Sequence, residues 1–386
     1  MEHFVSDLSL LVVCSAILAS IAVILKQPII IAYIVSGILI GPYGLGLISN
    51  LEFIEVIAHL GIALLLFLAG LNLHPRKLFK LFNQSSWVAL MNAVISFILA
   101  FVFSLMLGFG TVESLCVGLA LMFSSTILVV KLLPTTTLHQ ERMGEFCIGI
   151  LILQDLIAVG VLAFIQCLAL PENAILSFAF LTFKLVLFIG LLVLIDLYLL
   201  QRVMHIVERL HEVLFILGVA WCFGIATFSS ALGLFYETGA FFAGVVLARH
   251  PISLFIAERL KPLRDFFLVL FFFSLGARLD LSVLKAVIVP AFILAVLFMM
   301  IKPWVFTKSL VWEGEKPSFA QEIGIRLGQL SEFSLLVGFL ALDLKLISDN
   351  ASQLIHLVTI MTFIASSYIV VYRYQTPIGI SDKFRD

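Results

Sequence analysis

Long, nearly unbroken apolar runs, separated by short polar or glycine-bearing turns, occupy almost the whole chain. Such runs predict membrane-crossing helices, because about 20 apolar residues span the hydrocarbon of a bilayer. The pattern places about thirteen of them, centred near Cys14, Ser36, Leu64, Ile98, Met122, Leu156, Phe188, Cys222, Ala243, Leu270, Leu297, Leu330 and Phe363. Some carry interruptions. Gly37, Gly41, Pro42, Gly44 and Gly46 are expected to break the second, and Gly239 and Gly244 to cut into the ninth, which has barely enough apolar length to cross. Irregular backbone at depth is tolerated only where it faces protein or a wet cavity. The expected fold class is an all-α polytopic membrane protein, with a membrane domain over 1–373 and a short cytoplasmic tail over 374–386. The first run, Leu8 to Leu25, reads as a retained helix: no basic stretch precedes it, and Lys26-Gln27-Pro28 follows it where a cleavage site would need small residues.

Composition agrees with the pattern. The chain is 62% hydrophobic and 12% charged, with a mean hydropathy of +1.19, whereas soluble domains hold about 25% charged residues. A net charge of −1 with no basic block gives no sign of nucleic-acid binding. The cysteines (Cys14, Cys116, Cys147, Cys167, Cys222) all lie in apolar runs without metal-ligand spacing, so they read as packing residues. No nucleophile–base pair stands out, and an enzyme is not expected.

Lys and Arg set the orientation. With the N-terminus outside, the cytoplasmic loops collect Lys26, the Arg76–Lys80 group, Lys131, Arg142, Arg202, Arg209, the Arg249–Arg264 group, Lys308, Lys316 and the basic residues of the tail. The opposite side holds only Arg278, Lys285 and Lys345. The asymmetry predicts an outside N-terminus and a cytoplasmic C-terminus.

Against this background the polar residues at depth carry the information. Asp155 interrupts the apolar stretch Gly149–Phe164, beside Gln154. A charge at mid-membrane costs at least about 2.5–3.5 kcal/mol, so such a residue points to a bound proton or cation. Lys302 interrupts Phe292–Phe306 and is a candidate partner for Asp155. Glu332 follows Gly328, Gln329 and Ser331, which weaken helix continuity; Arg326 precedes them, placed to hold a carboxylate or a helix C-terminus. Asp196 and Lys184 read as interfacial. Ser124, Ser125 and Thr126 bring three hydroxyls to the middle of the fifth span. Hydroxyls there and a break at 328–331 suggest discontinuous helices at corresponding places in two halves, the signature of inverted repeats with an ion site at their crossing.

Taken together these residues resemble the monovalent cation:proton antiporter-2 superfamily, and within it the Kef-type potassium efflux proteins. The likeness runs over nearly the whole chain: Ile38–Gly46, Phe67–Leu73, Ser124–Thr126, Gln154-Asp155, Gly239–Ala248, Phe271–Ala277 with Asp280, and Gly328–Phe333 follow in family order. The resemblance implies a bacterial sodium/proton antiporter-type fold, with inverted repeats and crossed discontinuous helices, in which a core bundle moves against a dimerising scaffold. It implies Asp155 as the seat of a monovalent cation or proton, with Gln154, Ser124, Ser125 and Thr126 at the ion site and Lys302, Glu332, Gln329, Ser331 and Arg326 supporting it. No cofactor is implied beyond the transported K+ or Na+ and H+. The implied partners are the lipid bilayer, a second copy in a homodimer, and a regulatory subunit or the C-terminal nucleotide-binding domain that Kef proteins usually carry. The implied location is a bacterial inner membrane.

The expected activity is antiport: Asp155 holds a proton or a cation, never both, and a single acid supports one-for-one, electroneutral exchange by an elevator-type movement, with K+ favoured over Na+. The alternative is a gated potassium efflux channel, although no Thr-Val-Gly-Tyr-Gly filter is present.

Overall fold

The computed structural model describes residues 2–25, 27, 29–48, 51–71, 75–133, 142–168, 174–207, 211–234, 236–250, 253–279 and 281–376. Among residues singled out above, Lys26, Pro28, Asn72, Leu73, Arg209, Asp280 and the tail after Thr376 lie outside these. The described chain is helical. In order it forms α1 (Glu2–Ile24), α2 (Ile29–Ile40), α3 (Leu51–Leu71), α4 (Pro75–Met106), α5 (Thr111–Ala120), α6 (Thr126–Leu132), α7 (Arg142–Leu168) and α8 (Ala174–Ile195). A π-helical turn, Asp196–Leu200, then leads into α9 (Gln201–Val207). There follow α10 (His211–Ala231), α11 (Tyr236–Leu247), α12 (Ser253–Ala277), α13 (Leu281–Trp312), α14 (Pro317–Arg326), α15 (Glu332–Asp343) and α16 (Asp349–Arg373). Seven of the described helices are long and apolar enough to cross a membrane, and the chain is an integral membrane protein.

The element order repeats. α4 and α13 are both 32 residues long. Their starts (Pro75 and Leu281), those of α5 and α14 (Thr111 and Pro317) and those of α6 and α15 (Thr126 and Glu332) are all about 206 residues apart. α3 and α12 end at the same interval, at Leu71 and Ala277. Among the described residues each copy thus shows the same series of helices with a break at the same place, and α8 lies between the copies.

The chain divides into two compact units. The first comprises Met1–Ile21, Ala32–Phe79 and Leu170–Arg278. In it α3 packs against α11 and α12, and α10 against both of the latter. Glycines make these contacts close. A Cβ at Gly37 of α2 would meet Phe273 O and Ala277 N of α12, and one at Gly276 of α12 would meet Ile34 O of α2. Gly70 of α3 and Gly244 of α11 oppose each other in the same way, through Phe241 O and Phe67 O. This corrects the expectation for the ninth run and narrows that for the second, whose break begins at Gly41. Gly239 and Gly244 do not interrupt α11, and α2 runs through Gly37 to Ile40 before it turns at Gly41. The glycines remove side chains where two backbones touch.

Asp196 is a further correction. It is fully buried, so its carboxylate does not snorkel to a surface, and it opens the π-turn, where that carboxylate meets His250 Nε2 at 2.5 Å. Burial next to a basic ring accounts for its position better than snorkelling does. Lys184 donates to Leu232 O just beyond the end of α10, at 3.2 Å.

The second unit comprises Ala22–Ile31, Lys80–Ala169 and Leu279–Asp386. In it α13 packs against α14 and α16, while α15 packs against α5, α7 and α16. A buried apolar cluster including Val88, Val129, Ile150, Phe306 and Leu327 ties α4, α6, α7 and α13 to the end of α14. Gly324 and Gly328 let α14 approach Pro303 of α13.

Gly276→Val drives a side chain into the Ile34 carbonyl, an overpacking expected to cost about 1–3 kcal/mol. Gly190→Val enters open space. In detergent, the first substitution should lower the melting temperature and the second leave it near wild type; equal melting temperatures would disprove the close contact.

Candidate functional site

All the polar residues singled out at depth in the breaks and around Asp155 belong to the second unit. Two helices there stop in mid-span. α5 ends at Ala120 and α6 begins at Thr126; α14 ends at Arg326 and α15 begins at Glu332. The residues between, 121–125 and 327–331, are buried throughout. Sequence explains both restarts. Ser125 caps α6 by accepting from Leu128 N at 3.0 Å, and Ser331 caps α15 by accepting from Phe333 N at 3.2 Å. Such caps replace the bonds that the first amides of a helix lack. The breaks touch directly, since Ser124 Oγ donates to Leu327 O at 2.9 Å. Phe123 and Phe333 pack edge to face beside them, ring centroids 6.4 Å apart.

Cut helix ends carry partial charges, negative where carbonyls are exposed and positive where amides are. Lys302 answers the first. Its Nζ donates to Phe123 O at 2.5 Å and to Gln329 O at 3.1 Å, the free carbonyls past α5 and α14. It is fully buried. The expected pairing of Lys302 with Asp155 is therefore corrected: unsatisfied backbone at two chain breaks draws the ammonium. Glu332 answers the second. It is the first residue of α15, and its Oε1 accepts from Ile127 N in the first turn of α6 at 3.4 Å. The hydroxyls of Ser331 and Ser125 also bond to it.

Asp155 lies on α7, 3% exposed. Thr126 Oγ1 stands 3.1 Å from each of its oxygens and donates to that carboxylate. Glu332 is near enough to act on it electrostatically. Gln154 faces the first break, where its Oε1 accepts from Ser124 N at 2.9 Å. That bond fixes the orientation of the amide and leaves Nε2, a donor, buried without a partner. One lone pair of the Gln154 oxygen is thus engaged by the backbone of the first break. Gln329 has the same character: its Oε1 accepts from Ser366 Oγ at 3.0 Å, while its Nε2 is buried and unpartnered. The Asp155 carboxylate and the Thr126 hydroxyl are both hard oxygen ligands.

Arg326 stands apart from this cluster. It bonds Glu322, the C-terminal carbonyl of α6 at Leu132, and Gln375 O. The structure thus gathers Ser124, Ser125, Thr126, Gln154, Asp155, Lys302, Gln329, Ser331 and Glu332 around one crossing, with Arg326 at its outer edge. Residues that sequence reasoning missed are Ser366 and Thr362 of α16, the latter accepting from Leu330 N at 3.2 Å. The clue was a run of hydroxyls along an otherwise apolar helix, Thr359, Thr362, Ser366 and Ser367.

A family described as sodium/hydrogen exchanger, transmembrane, matches residues 10–371. The chain is 27% identical over 349 residues to the iron transporter MagA of Paramagnetospirillum magneticum, covering 89% of this chain and 80% of MagA. It is 28% identical over 380 residues to the glutathione-regulated potassium-efflux system protein KefC of Klebsiella pneumoniae, covering 96% of this chain and 60% of KefC. For KefC of Escherichia coli the figures are 30% over 331 residues, with 84% and 53% covered. The chain thus spans little more than half the length of the KefC proteins it matches. Among solved structures it resembles the sodium proton antiporter MjNhaP1 from Methanocaldococcus jannaschii, with a TM-score of 0.70, 18% identity and 95% of each chain covered. At that identity the likeness establishes the fold.

Lys302→Met leaves the carbonyls of Phe123 and Gln329 without a donor. Loss of charge-assisted bonds of this kind is expected to cost about 1.5–3 kcal/mol. The check is thermal unfolding of the purified protein in detergent; an unshifted transition would show that the ammonium does not hold the crossing.

Proposed function

Because the chain belongs to the sodium/hydrogen exchanger, transmembrane, family, we propose that it is a secondary antiporter exchanging a monovalent cation for protons. The carrying observation is a buried carboxylate, Asp155, bonded to a threonine at the start of a half-helix in mid-span. A proton or a cation neutralises Asp155 in turn. The neutral, occupied site crosses; the bare charge stays, because moving it through hydrocarbon is costly. That difference enforces exchange and suppresses leak. Glu332 is engaged with the N-termini of α6 and α15, which leaves Asp155 as the exchanging acid and the cycle one-for-one and electroneutral.

K+ is the favoured cargo, supported by the likeness to the potassium-efflux protein KefC; Na+ stands second, supported by the family description. The likeness to an iron transporter makes iron a required comparison, although the hard oxygens at the site suit alkali cations better. The membrane domain of 1–373 divides its labour. The unit that contains Asp155 carries the ion in an elevator-like movement, and the unit packed through glycine contacts is the scaffold, which dimerises. The N-terminus lies outside a bacterial inner membrane. Regulation by a nucleotide-binding domain or a separate subunit belongs to this reading through the longer KefC proteins.

Proton flux in proteoliposomes, with K+, Na+, Li+ and Fe2+ in turn, tests the cargo. Asp155→Asn is expected to abolish cation-driven proton flux while leaving the melting temperature near wild type; retained flux would remove Asp155 from the mechanism. Competition for one seat also fixes the pH dependence. Where the proton occupies most sites, each unit of acidification should raise the half-saturating cation concentration about tenfold, by mass action. Half-saturation that does not move with pH would refute shared occupancy.

A further inference from the structure

The far end of α6 carries a contact that ion exchange at Asp155 does not use. Arg326 is 3% exposed and closes α14. Its Nη1 donates to Leu132 O, the last residue of α6, at 3.0 Å. Its Nη2 donates to Gln375 O at 3.1 Å, just past the end of α16. Nε and Nη2 both donate to Glu322 Oε1, at 3.0 and 2.8 Å. The guanidinium also lies over the Tyr374 ring, 5.2 Å from its centroid. One buried cation therefore joins three chain segments: the end of α14, the end of α6, and the segment leaving α16.

The other end of α6 is the site itself. Ser125 caps it and Thr126 donates to Asp155. α6 has seven residues, short enough to shift as a stiff rod. Each end of it is fastened, by Thr126 and Glu332 at one and by Arg326 at the other.

We infer that the Tyr374–Gln375 segment is a control point: its position is transmitted through Arg326 and α6 to the Thr126–Asp155 contact. Arg326 acts as a positioning residue, because it touches the end of the half-helix and not the ion. Only a planar guanidinium can bond Glu322, Leu132 and Gln375 together while lying on an aromatic ring. Whatever moves the backbone after α16 thereby tunes the affinity of the cation seat. The inference rests on Asp155 and Thr126 being that seat.

The test uses the full chain with Tyr374→Leu, Tyr374→Phe and Arg326→Lys. Two quantities are measured: half-saturation for K+ and Na+ in proteoliposome exchange, and the cation concentration that half-maximally raises the melting temperature in detergent. Tyr374→Leu loses the ring and is expected to shift both by about fivefold or more. Tyr374→Phe keeps the ring and should behave as wild type. Arg326→Lys keeps the charge, loses the shared bonds, and should shift both further. If the Tyr374→Leu and Arg326→Lys variants are merely less stable, with wild-type half-saturation, the residues are structural and the coupling is overturned. If wild type binds cations thermally yet exchanges none, the antiport reading fails, while the shift in thermal half-saturation still decides the coupling.

Discussion

Four helix ends cut inside an apolar interior are what the second unit has to accommodate. Backbone polar groups left bare there cost several kcal/mol each. Two carbonyl ends meet at the Lys302 ammonium, and two amide ends meet at the Glu332 carboxylate and the caps Ser125 and Ser331. One positive and one negative group thus compensate both breaks. With the ends answered by Lys302 and Glu332, the hydrogen bond to Asp155 comes from the Thr126 hydroxyl. The carboxylate is therefore not used to neutralise the carbonyl ends of either break.

The two units solve packing differently. In the first, glycines on α2, α3, α11 and α12 bring backbones into contact, a dispersion-driven arrangement typical of helices that gain little from hydrophobic burial in lipid. In the second, hydrogen bonds between breaks and side chains fix the geometry, with the apolar cluster around Ile150 and Phe306 on α7 and α13 as backing. The first arrangement leaves few polar groups between its helices; the second leaves two amide donors, Gln154 Nε2 and Gln329 Nε2, unpartnered beside the breaks.

Much of this was legible in the chain. Apolar runs located the helices, and Asp155, costly in hydrocarbon, pointed to the buried polar cluster that the crossing forms. Hydroxyls at 124–126 and weak helix formers at 328–331 located both breaks. What sequence could not give was who bonds whom. Lys302 and Asp155 looked like partners because opposite charges in hydrocarbon seek each other, yet free carbonyls created by folding took the ammonium. That Gln154 ties α7 to the first break, through the Ser124 amide, was equally invisible in sequence. Asp196 looked interfacial because its partner, His250, lies far away in sequence. The glycines of α11 looked like breaks because a helix pressed against another backbone and a helix interrupted by loops show the same residue.

The spacing of the two copies has a consequence of its own. Corresponding elements keep their interval so closely that position 125 answers to 331, serine to serine, while position 126 answers to 332, threonine to glutamate. A perfect internal two-fold would give both breaks the same charge. Placing a hydroxyl in one copy and an acid in the other makes the two half-helix starts electrically unlike, so the crossing has a fixed polarity that superposing one copy on the other cannot remove.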